Sequence, residues 1–290
     1  MLINVVLGVM LLLTAYFAVI FFMDYFRASK EGKLEKANFF ALGVVGFVTN
    51  FFDTLGIGSF APTTALLKNF KLSADRTIPG TLNVACTIPV VVEALIFITV
   101  IKVEPITLAA MLASATVGAF IGAGIVSKLD ERKIQLGMGT ALLIVVLIML
   151  SGQLGLMPVG GTAIGLTGIK LIVAIVGNFV LGALMTLGIG LYAPCMALVF
   201  ALGLSPKVAF PIMMGSCAFL MPVAAAKFVK EEAYDRKASM AITIFGVVGV
   251  LIAAYLVKSL PLDILRWLVD AVIVYTAIMM FRSASVKKTA

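Results

Sequence analysis

The sequence predicts an all-α polytopic membrane protein of two inverted repeats, each a re-entrant helical hairpin followed by three transmembrane helices, with one extra transmembrane helix in front. Three observations predict it. The composition is too apolar for a soluble core, a nine-residue motif occurs twice, and the basic residues become strongly one-sided in only one topology.

Hydrophobic residues make up 62% of the 290, charged residues 12%, and mean hydropathy is +1.17. One core cannot hide that much apolar surface, so the excess faces lipid. The runs Leu2 to Met23, Ile134 to Leu150 and Ala241 to Val257 approach the roughly 20 apolar residues that span about 30 Å of hydrocarbon. No Lys or Arg precedes the first run, and Arg27, Lys30, Lys33 and Lys36 follow it. That is the reverse of a secretory signal, so it reads as a retained helix with its N-terminus outside. The formal charge of +8 comes from residues scattered in short loops. Membrane orientation explains them, and no nucleic-acid partner is expected.

The second observation is the repeat. Thr54-Leu-Gly-Ile-Gly-Ser-Phe-Ala-Pro62 matches Thr186-Leu-Gly-Ile-Gly-Leu-Tyr-Ala-Pro194 at seven of nine positions, offset by 132. The same offset pairs Phe47 with Phe179, Leu72 with Leu204, Ser73 with Ser205 and Pro79 with Pro211. The chain divides into an N-terminal helix and basic loop (1–37), a first repeat (38–156), a Gly-rich linker (157–168) and a second repeat with a basic tail (169–290). Each repeat opens with an apolar segment, 38–70 or 170–202, interrupted by Gly-Ile-Gly. Spans follow at about 77–101, 106–127 and 134–156, then at 208–229, 238–258 and 263–282.

Loop charge chooses between topologies. If the interrupted segments cross the membrane, Lys and Arg split 13 inside against 9 outside; if they re-enter, the split is 17 against 5. The positive-inside rule selects re-entry, which gives seven spans and an odd unit that inverts the repeats.

Irregular backbone at membrane depth survives only where protein buries it or water reaches it, so the two Gly breaks are the expected substrate site. Gly56, Gly58, Gly188 and Gly190 permit the turns and the close approach of a ligand. Pro62 and Pro194 are expected at the first position of the returning half-helices, with Ala61 and Ala193 at or beside the N-cap. Two uncapped helix N-termini, each carrying about half a positive charge, form an anion site without a buried lysine. Candidate hydrogen-bonding groups are Thr54, Ser59 and Thr63 in the first half and Thr186, Tyr192 and Cys195 in the second. Asn83 and Ser216, on the proline-containing helices that follow, are candidate cavity-lining groups. The alternative stays open that the glycines serve helix packing and the hydroxyls bond their own backbone.

Arg76 and Lys207 begin equivalent helices and are placed to steer anions at opposite mouths, or to snorkel as helix-end charges. Asp53, Glu93 and Asp270 are carboxylates in apolar segments, which are costly there. Asp53 precedes the first break where Met185 precedes the second, an asymmetry that suits proton coupling or gating. Glu93 and Asp270 have no motif beside them.

The odd cysteines Cys86, Cys195 and Cys217 lack metal or disulfide spacing, and there is no histidine, so no metal, cofactor or imidazole relay is expected. No nucleophile–base constellation points to an enzyme. The reading is a secondary transporter for a small anion, with an anion channel and an intramembrane enzyme as alternatives.

The paired Gly-x-Gly elements followed by Pro, the second Pro-containing helix and the four-plus-four segment plan resemble the sulfite exporter TauE/SafE family, also called the toluene sulfonate uptake permease family. The resemblance implies a multi-pass permease of the bacterial cytoplasmic membrane that moves sulfite, an organosulfonate or a related sulfur oxyanion; the loop charges put its C-terminus inside. Alternating access, a proton-coupled step and a homodimer are further expectations; the partners are the anion and the lipid bilayer.

Overall fold

The computed structural model describes residues 2–158, 160–256 and 263–285. The basic tail, Lys258 and the end of the run to Val257 lie outside the described residues. Eleven α-helices run in order among those described: α1 (Leu2–Lys30), α2 (Phe39–Thr54), α3 (Phe60–Asn69), α4 (Ile78–Val100), α5 (Pro105–Val126), α6 (Glu131–Gln153), α7 (Gly168–Met185), α8 (Tyr192–Ala201), α9 (Pro206–Lys230), α10 (Arg236–Leu256) and α11 (Asp263–Ser285). Each expected interrupted segment is a long helix, a break and a ten-residue helix.

Among the described residues seven helices are long and apolar enough to cross a membrane: α1, α4, α5, α6, α7, α9 and α10. This set differs from the expected spans at two places. It includes α7, read above as a hairpin arm, because its 18 residues just reach the necessary length; α11 is not in it. Large apolar side chains such as Leu12, Val19, Phe120, Leu147 and Ile169 are exposed on the outer faces, where lipid would replace water.

The two arms of each interrupted segment fold back on one another. At the start of α2, Ala41 and Val44 line one cavity with Leu66 and Phe70 from the end of α3, and Thr63 of α3 donates to Thr49 of α2 at 2.9 Å. In the second segment Lys170, at the start of α7, donates to the Leu202 carbonyl past the end of α8 at 3.1 Å.

The loops gather at two ends. At the first, Glu35 accepts from the backbone amides of Arg236 and Lys237 at 3.1 and 3.0 Å, Asp24 pairs with Arg236 at 2.8 Å, and Gln135 donates to Asp75 at 2.8 Å. Lys68 bonds both Asp75 and Ser283 there. At the second end Glu104 donates its amide to Ile164 at 2.8 Å, and Ser205 its amide to Ala163 at 2.8 Å. Thus α4 begins at the first end and α9 at the second.

Packing follows the repeat. α2 packs on α10 and α5 on α7; α4 packs on α10 and α5 on α9; α4 meets α9, and α6 meets α11. Each contact between unlike elements has a counterpart with the halves exchanged. Backbones approach closely at Gly182, where a Cβ would stand 2.1 Å from the Ala115 carbonyl, so this glycine serves helix packing. Pro89, inside α4, denies the Ala85 carbonyl its helical donor. The Thr243 hydroxyl of α10 supplies one instead, at 2.8 Å.

Candidate functional site

The site forms where the breaks meet. α2 stops because Gly56 and Gly58 take φ of +89° and +90°, the left-handed region that glycine enters at no steric cost. Gly188 does the same at +103°, but Gly190 does not, so breaks with matching sequences differ in torsion. The N-caps of α3 and α8 are Ser59 and Leu191, and neither side chain caps its helix. This corrects the expected register. Pro62 and Pro194 stand at the third helical position and Ala61 and Ala193 at the second. The expected economy still holds, because each proline removes one of the four amides that a helix start leaves unpaired.

Both helix starts border the same space. Gly58, Phe60 and Ala61 from the first break and Gly190, Tyr192 and Ala193 from the second line a crevice of ≈ 20 Å³. Beside it Asp53, Ser59, Met185, Tyr192 and Cys217 line another of ≈ 10 Å³. A cavity of ≈ 470 Å³ lies against the end of α6 and reaches Gly56, Ile57 and Ala193. The crevices hold about one water each, so anything larger enters only if the helices part.

The polar groups around this space are buried. Glu93 of α4 is 0% exposed, and its two oxygens meet one residue from each half: the Thr54 hydroxyl lies 2.8 Å from Oε1 and the Tyr192 hydroxyl 2.8 Å from Oε2. Asp53 accepts from the Ser59 hydroxyl at 3.0 Å and from the Ser59 backbone amide. Cys217 donates to the Met185 sulfur at 3.6 Å. Among the described residues no Lys or Arg forms an ion pair with Asp53 or Glu93, and none group as a metal site.

Other expected residues stand elsewhere. Thr63 ties α3 to α2. Asn83 donates to the Pro79 carbonyl at 2.9 Å and reaches the Thr186 carbonyl at 3.5 Å, and Thr186 turns its hydroxyl to Ala183 at 2.7 Å. Ser216 accepts from Asn178 of α7 at 2.8 Å and lines neither crevice. Cys195 is buried in α8 and borders neither crevice. Arg76 and Lys207 are exposed at opposite ends. Glu93 is the residue that motif reasoning passed over. Its signal was its cost: an unexplained carboxylate in an apolar span.

These features define a multi-pass helical membrane protein whose buried polar site lies between two interrupted segments. The chain matches the model of the sulfite exporter TauE/SafE family over residues 1–149 and 169–290, and it belongs to that family. Membership implies a membrane transporter for sulfite or related anions, consistent with a protein that is not an enzyme. The gap in the match covers the end of α6 and the Gly-rich linker between the repeats. No curated protein matches the chain.

Proposed function

We propose that this protein is a secondary transporter that binds a small sulfur oxyanion between the N-termini of α3 and α8 and carries it by alternating access. The observation that carries this reading is the shared crevice: two helix starts, one from each half and neither capped by the side chain of its own N-cap residue, converge on one buried space. Their unpaired amides and positive dipole ends favour an oxyanion. Ser59 and Tyr192 add hydroxyls at the crevices, and Thr54 meets the same Glu93 carboxyl as Tyr192. Asp53 suits a gating role, because it pins the first break through Ser59.

The interrupted segments act as re-entrant hairpins in inverted repeats. Three facts support this: the folded-back arms, the opposite starting ends of α4 and α9, and helix pairings that recur with the halves exchanged. The basic first end faces the cytoplasm of a bacterial cell, with the N-terminus outside and the C-terminus inside. Crevices of ≈ 20 and ≈ 10 Å³ favour a carrier over an open channel.

The test is uptake of sulfite, thiosulfate and a sulfonate into liposomes holding the purified protein. Saturable flux above that of empty liposomes is the expected result; no flux of any of these anions overturns the proposal.

A further inference from the structure

The Thr54 hydroxyl has one proton and two neighbours that call for it. It lies 3.0 Å from the Asn50 carbonyl, one turn back in α2, and 2.8 Å from Glu93 Oε1. The carbonyl can only accept. If Thr54 gives its proton there, the contact with Glu93 closes only when Glu93 is the donor, as a neutral acid has an O–H and a carboxylate has none. Oε2 then remains the carbonyl oxygen and accepts from Tyr192 at 2.8 Å. A protonated Glu93 therefore satisfies all three contacts of this group with one proton each. An ionised Glu93 leaves Thr54 one proton short.

Asp53 presents the opposite pattern. Both of its contacts at the break are donors, the hydroxyl and the backbone amide of Ser59, which suits a carboxylate. The two acids sit at one site with no cation among the described residues paired to either, so an arriving anion meets at most one fixed negative charge only if Glu93 stays neutral.

We propose that Glu93 is the proton-bearing group of the transport cycle: it carries a proton while the anion occupies the site and releases it when the anion has left. Ionised, Glu93 draws the Thr54 and Tyr192 hydroxyls to itself and acts as a tethered anion competing for the same site. Protonated, it stops competing. On release the Oε1–H bond breaks, the proton goes to water on the open side, and no electrons change hands. Each monovalent anion thus moves with one proton. This inference rests on the transport reading for its cycle but not for the protonation itself.

Two measurements test it. The first uses infrared spectroscopy on the purified, reconstituted protein at neutral pH, saturated with isethionate so that the site is occupied. The carbonyl stretch of a buried protonated carboxyl is expected in the wild type and in Asp53→Asn, and is expected to vanish in Glu93→Gln. Its absence from the wild type, or its loss in Asp53→Asn with survival in Glu93→Gln, overturns the proposal even where transport is intact. The second uses isethionate, a sulfonate with no titratable proton, driven inward into liposomes holding a pH dye. Wild-type liposomes are expected to acidify with anion uptake, and Glu93→Gln to lose that acidification whether or not anion flux persists. Wild-type acidification in Glu93→Gln overturns the assignment. Liposomes that carry no anion but keep the infrared band refute the transport reading and leave Glu93 protonated.

Discussion

Tyr192 at the start of α8 donates its hydroxyl to Glu93 of α4 at 2.8 Å, across the boundary between the two halves. Thr54, at the end of α2, meets the other oxygen of the same carboxyl. One side chain thus senses both breaks. Tyr192→Phe keeps the ring and deletes the donor, leaving a fully buried oxygen without a partner. An unsatisfied buried group of this kind costs about 1–3 kcal/mol. Thermal unfolding in detergent should fall accordingly, and anion flux should drop by about tenfold if about 1.4 kcal/mol of that loss is felt in the transport barrier. The exposed Tyr16→Phe should change neither.

The glycines of the two breaks should respond differently to alanine. At Gly58 a Cβ would meet nothing within 4 Å, but φ is +90°, so Gly58→Ala acts through backbone strain and costs about 1–2 kcal/mol. At Gly190 the torsion is ordinary, and the new methyl would lie 3.8 Å from the Phe60 Cβ, on the crevice wall. Gly190→Ala should therefore unfold close to the wild-type temperature while lowering anion transport severalfold, most for the larger sulfonates. Paired melting and uptake assays check both; equal loss of stability in the two variants would contradict the assignment of strain to Gly58.

The repeat made the helices and both breaks legible, because Gly-x-Gly and Pro constrain the backbone wherever they occur. Which hydroxyls face the site was not legible. Thr186 and Asn83 spend their donors on nearby carbonyls, a choice set by rotamers and neighbours that a motif does not encode. Glu93 escaped for another reason. No motif stands beside it and its partner at the 132-residue offset is Ala225, so the repeat gave it no role. The prolines were displaced by two positions because each helix begins before the Ala-Pro pair, at Phe60 and Tyr192.

Asp235, before α10, should make stability depend on pH. Burial, with the charge of Glu35 nearby, raises its carboxyl to about 6 from the ordinary value of 3.8, although the Ala238 amide and the Ser73 side chain pull the other way. Between these values the folded protein binds more protons than the unfolded chain, so stability falls as pH rises from about 4 to about 6. Asp235→Asn should flatten that slope in a series of melting curves. A wild-type stability that climbs with pH over this window, with the slope unchanged in Asp235→Asn, would show that Asp235 does not govern it.

The proposed re-entrant topology makes a sidedness prediction at Lys71 and Lys170. Lys71 is exposed just past α3, at the basic first end, and Lys170 is exposed at the start of α7, at the second. The native Cys86, Cys195 and Cys217 are all buried, so a membrane-impermeant maleimide has little background to overcome. In oriented cells or vesicles, Lys71→Cys should label only from the cytoplasmic side and Lys170→Cys only from the opposite one. If α2 and α3 crossed the bilayer as one broken helix, Lys71→Cys would label from outside instead. The arms that fold back at Thr49 and Thr63 would then have to separate by the full hydrocarbon thickness of about 30 Å.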